Sequence, residues 1–83
     1  MKEILFELRG EFITLDALLK ATGLASSGGG AKAMIHDGKV QVDGQEELRR
    51  GRKLRVGQVA AVAATRVRLV QNASPEIETP PNL

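Results

Sequence analysis

The stretch Ala31-Lys-Ala-Met-Ile-His-Asp-Gly-Lys-Val-Gln-Val-Asp-Gly44 changes its period half-way along. Ala31, Met34 and Ile35 recur at the three- and four-residue spacing of a helix with one buried stripe. Gly38 stops that helix, because a residue just past a helix end commonly adopts the left-handed backbone that glycine tolerates. Val40 and Val42 then alternate with Lys39 and Gln41, the two-residue period of a strand. Asp43-Gly44 is the strongest short hairpin signal in the chain. A helix passing directly into a hairpin argues for a fold of α+β class.

Working outward, Ala25-Ser-Ser-Gly-Gly-Gly30 is a connector, with Ser26 or Ser27 able to cap the helix it opens. Three glycines in one helical turn weaken an isolated helix by roughly 1 kcal/mol each, so packing or a close backbone approach must compensate. Before the connector, Leu15, Leu18 and Leu19 mark a short amphipathic helix over residues 15–22 that Gly23 ends. Thr14 stands at its cap position and Asp16 in its first turn, where the helix dipole favours an acid. Met1 to Leu8 reads as a strand from the alternation of Ile4, Phe6 and Leu8. Residues Val59–Ala64 and Thr65–Val70 read as two strands or one bent strand, with Val67 and Leu69 alternating against Arg66 and Arg68. From Asn72 the chain has three prolines and no periodicity, so one domain over 1–71 and a frayed tail over 72–83 are expected.

Composition removes several classes of function. The 83 residues hold one small domain, expected to work as a monomer, and no cysteine, which excludes disulfides, thiolate metal sites and cysteine nucleophiles. A single histidine, His36, with no clustered carboxylates at ligand spacing, offers no metal site, and no cofactor is expected. Nothing marks a serine partner for His36, so catalysis is not expected; one turn from Lys32, it reads as a polar-face residue able to touch a phosphate. The glycine run is no phosphate loop, since Gly30 is followed by Ala31-Lys32-Ala33 without a hydroxyl for magnesium. No apolar run approaches the ~20 residues of a membrane span and no signal-like segment opens the chain, so a cytoplasmic location is expected.

The formal net charge of +2 conceals a sharp division. Residues 49–75 carry Arg49, Arg50, Arg52, Lys53, Arg55, Arg66 and Arg68 and no acid, whereas residues 1–48 are net negative. Such segregation predicts an electropositive surface for a polyanion. Arg49-Arg-Gly-Arg-Lys53 is its centre, and Lys32, Lys39 and Arg55 extend it. Base stacking is not expected, because Phe6 and Phe12 are the only aromatics and both stand where core residues are wanted.

Taken in order, Thr14-Leu-Asp-Ala-Leu-Leu-Lys20, Gly23-Leu-Ala-Ser-Ser27, Ala31-Lys-Ala-Met-Ile35, Gly38–Gly44 and Val56-Gly-Gln-Val59 resemble a known module over roughly residues 4–60. It is the RNA-binding domain named after small-subunit ribosomal protein S-four. Ser27-Gly-Gly29 and Arg49-Arg-Gly-Arg-Lys-Leu54 look like its stand-alone bacterial subfamily called YbcJ or YaaA. The resemblance implies an alpha-L motif, two packed helices followed by a small, mostly antiparallel sheet. It also implies non-catalytic binding of structured RNA, ribosomal or transfer, with ribosomal or RNA-processing proteins as further partners. By motif position Ser27, Lys32, Lys39 and the basic loop would face the RNA. Thr14 and Gly28 stand where many relatives carry arginine, which shifts the expected contact toward Arg49, Arg50, Arg52 and Lys53. Two other readings compete: an adaptor, ribosome-associated or free, whose basic face docks an acidic protein, and an accessory domain of an RNA-modifying enzyme, inactive alone.

Overall fold

A computed structural model describes residues 2–71; the tail expected over 72–83 lies outside the described residues. In chain order the elements are β1 (Lys2–Leu8), β2 (Ile13–Thr14), α1 (Leu15–Ala21), α2 (Gly28–His36), β3 (Val40–Val42), β4 (Gln45–Glu46), β5 (Lys53–Leu54), β6 (Val59–Val62) and β7 (Thr65–Gln71). The main sheet runs β1-β7-β6-β3-β4, and β2 pairs with β5 in a separate two-stranded ribbon.

Three pairings of the main sheet are antiparallel, and the fourth joins β1 to β7 in parallel, from Lys2 opposite Thr65 to Leu8 opposite Gln71. The sheet is therefore mostly antiparallel but mixed. A parallel pair needs a long crossover, and here nearly the whole domain supplies it.

The period change read at Gly38 is realised closely. Ala31 and Ile35 are fully buried, Met34 is partly buried against the core, and Gly38 has a φ of +76°. The Gly38 N–H donates to the Ile35 carbonyl and the Lys39 N–H to the Met34 carbonyl, each at 3.1 Å, which satisfies the last turn of α2. Val40 and Val42 are buried, and Asp43 and Gly44, with φ of +52° and +85°, make the tight turn into β4. The Asp43 carboxylate accepts from Gln58 Nε2 and the Val59 N–H at 3.0 Å each, tying this turn to the start of β6.

Leu15, Leu18 and Leu19 of α1, Ala31 and Ile35 of α2, and Val40, Val42, Leu54, Ala60, Val67 and Leu69 of the strands form one core. Arg66 and Arg68 are exposed on the other face of β7, as the alternation indicated. No helix among the described residues is long and apolar enough to cross a membrane.

The three glycines need another explanation than packing. A Cβ on Gly28 would meet nothing within 4 Å, and on Gly29 or Gly30 only the Oγ of Ser27. Their missing side chains leave the first turn of α2 open rather than close to α1.

Candidate nucleic-acid interface

The basic segment is an organised structure rather than a loose charge run. Its backbone closes the start of α1: the Leu15 N–H donates to the Arg52 carbonyl at 2.9 Å and the Asp16 N–H to the Arg50 carbonyl at 3.1 Å. Thr14 has the extended backbone of a cap residue, yet its side chain makes no capping bond. The acceptors that the first turn of α1 requires come from a segment more than thirty residues downstream. Pairing of Ile13 with Leu54 and of Thr14 with Lys53 continues the attachment.

Glu47 supplies the second anchor. It is 6% exposed and follows β4 directly, where its N–H donates to the Val40 carbonyl at 3.0 Å. Its carboxylate accepts from Arg49 Nε at 2.9 Å, the Arg49 N–H at 3.0 Å and Arg52 Nη1 at 2.7 Å. These bonds, the Arg49 side chain's foremost, hold the Glu47 carboxyl down at about 2 against the opposing effect of burial, and the same contact raises the Arg49 guanidinium. Arg49 nevertheless keeps three quarters of its side chain exposed, so it is fixed in direction while still open to a further anion.

Arg50 makes no side-chain hydrogen bond or ion pair among the described residues and is exposed. On the β2–β5 ribbon, Ile13 and Leu54 turn inward, and Thr14 and Lys53 lie on the opposite side. Lys53 Nζ sits 4.8 Å from the centre of the Phe12 ring and the Arg55 guanidinium 5.9 Å from it, both within cation–π range. Arg55 also donates to the Glu11 carbonyl at 3.3 Å.

Phe12 thus departs from the core position expected of it. It is 40% exposed and holds two cations, while Phe6 is partly buried against the core. Phe12 lies just before β2, where its ring meets Lys53 and Arg55 instead of the core.

The expected site residues fall into two groups. Arg49, Arg50, Arg52, Lys53 and Arg55 share the segment braced by Glu47, the start of α1 and Phe12. Ser27, Lys32, His36 and Lys39 belong to α2 and its exit; all four are exposed, and no hydrogen bond or ion pair among the described residues ties them to the basic segment. Ser27, the capping serine of the two considered, accepts from the Gly30 N–H at 3.0 Å. Lys32 and His36 lie one turn apart, as their spacing indicated. Arg68 pairs with Glu3 across β1 and β7 at 3.1 Å, so part of the segmental charge is spent on the sheet. Glu47 was the residue missed in the sequence; an acid two residues before an arginine pair was the signal available.

The model of the S4 domain family matches residues 6–70. The chain belongs to the S4 domain family. Among solved structures, this S4 domain is similar to YbcJ from E. coli, whose solution structure revealed an alpha-L motif involved in RNA binding. The two superpose with a TM-score of 0.58 at 34% identity, covering 84% of this chain and 87% of the other. Among curated proteins, it is 42% identical over 52 residues to the probable ribosome maturation protein RlbA of Bacillus subtilis, which is 63% of this chain and 73% of the relative. The two helices and the mostly antiparallel sheet described above have the alpha-L architecture that the motifs implied.

Proposed function

We propose that this S4 domain is a non-catalytic module that binds structured RNA, ribosomal or transfer, by gripping phosphates and reading shape. One observation carries the reading: the Arg49–Arg55 segment is braced from three sides, so the side chains of Arg49, Arg52, Lys53 and Arg55 are held in place before any partner arrives. Pre-organised guanidinium groups lose less entropy on meeting a phosphate than a loose chain would. Membership of the S4 family, and the RNA binding and ribosome maturation named for YbcJ and RlbA, support it. The same reading puts it in the cytoplasm, which the relatives' RNA and ribosome connections support.

In this reading Arg49, Arg50, Arg52, Lys53 and Arg55 form the main grip. Ser27, Lys32, His36 and Lys39 supply a second row along α2, and the open glycine turn lets a phosphate come close to backbone N–H groups. Affinity for a folded ribosomal or transfer RNA fragment, followed by fluorescence anisotropy across a salt series, tests this. Neutralising about 4–6 phosphates gives a log–log slope of a few units, falling with added salt. Binding no tighter than micromolar at low salt to every structured RNA would instead favour an adaptor that docks an acidic protein.

A further inference from the structure

Beside the cation-bearing ribbon lies a groove of about 720 Å³. Phe6, Leu8, Phe12, Ile13 and Val70 line it with apolar surface, and Glu7 and Arg9 stand among its walls. Phe12 therefore belongs to two structures at once, carrying Lys53 and Arg55 and forming part of the groove. Phosphate-binding charge beside an exposed ring and an apolar recess fits a nucleotide whose base has left its helix.

We infer that this groove receives one unpaired base of the bound RNA, stacked on or beside Phe12, with Lys53 and Arg55 holding the phosphates that flank it. The inference rests on the RNA-binding reading above and deepens it, giving a charge-and-shape binder a local preference for a bulge or loop. Two observations favour a nucleotide as the occupant. The groove adjoins the proposed phosphate grip, and the cations at its ring are unsaturated by carboxylates among the described residues, whereas Glu7 and Arg9 leave the wall itself without net charge.

The test uses the full chain and two RNA hairpins that differ by a single unpaired adenosine, replaced by 2-aminopurine for fluorescence. Wild type should bind the bulged hairpin about tenfold more tightly than the paired one, the scale of one base–aromatic stack, and should quench the probe. Phe12→Leu should abolish the tenfold preference and the quenching, and weaken both hairpins equally by the smaller factor that follows from removing the ring that holds Lys53 and Arg55; Phe12→Trp should restore preference and quenching. Partial exposure of Phe12 lets either replacement fold, which circular dichroism checks. Equal affinity for both hairpins in wild type, with salt-sensitive binding retained, would overturn the groove assignment alone. Failure to bind either hairpin would overturn it together with the RNA-binding reading. Sedimentation as a dimer that Phe12→Leu dissociates would assign the groove to a second copy of the chain and overturn it as well.

Discussion

Glu47 carries more of the interface than its sign suggests. In a region otherwise rich in arginine it is the buried acid, and four donors from Arg49 and Arg52 converge on its two oxygens. A carboxyl held at about 2 instead of the ordinary 4.5 binds its proton later in the folded state than in the unfolded one. Its contribution to stability is therefore complete above about 4.5 and lost as pH falls toward about 2. Glu47→Gln should lower stability at neutral pH by on the order of 1 kcal/mol. The gap between wild type and variant should close across that acid window in thermal melts. A gap that stays constant down to pH 2 would show that the ion pairs contribute nothing. The sequence carried only a faint sign of this: neighbouring charges of opposite sign usually mark a solvated surface, whereas here the acid is 6% exposed and its N–H is bonded to β3.

At the level of elements, the helices and hairpins were legible because each announces itself within a few residues. Gly38 and Asp43-Gly44 are local signals, and local geometry obeyed them. The β2–β5 ribbon was not legible, since two-residue strands have no period and their pairing spans some forty residues. Thr14 does stand at the cap position of α1, but its side chain makes no capping bond, and the distant carbonyls of Arg50 and Arg52, which no local pattern announces, accept from the first turn instead. The β6–β7 turn shows a local rule broken. Val62 pairs with Thr65, leaving Ala63 and Ala64 as a two-residue loop in which Ala63 has a φ of +53°. That position of a hairpin favours glycine, and an alanine there bears roughly 1–2 kcal/mol of steric cost. Ala63→Gly should stabilise the domain by about 0.5–1 kcal/mol after glycine's own entropy cost. For a domain of this size the midpoint should rise by several degrees, with no change in RNA affinity. A lowered midpoint would mean that the alanine methyl packs productively.

Over the whole molecule, the segmental charge foresaw a cationic surface but not its division. Arg66 and Arg68 lie on the exposed face of the sheet, with Arg68 paired to Glu3, whereas Arg49 to Arg55 form the braced segment. The near-absence of aromatics argued for phosphate and shape recognition, and the structure sharpens that by placing one of the two phenylalanines among the cations. The division also decides how the central claim is best tested. Reversing Arg49 or Arg52 would strip Glu47 of its partners and confuse loss of binding with loss of fold. Arg50, Lys53 and Arg55 are exposed and pair with no carboxylate among the described residues, so their charge can be reversed with the Glu47 brace intact. The direct measurement is the affinity of Arg50→Glu/Lys53→Glu/Arg55→Glu for a folded ribosomal or transfer RNA fragment at low salt, beside its melting curve. The account expects a fall in affinity of at least a hundredfold with the cooperative melt preserved, whereas wild-type affinity in the triple variant would contradict it.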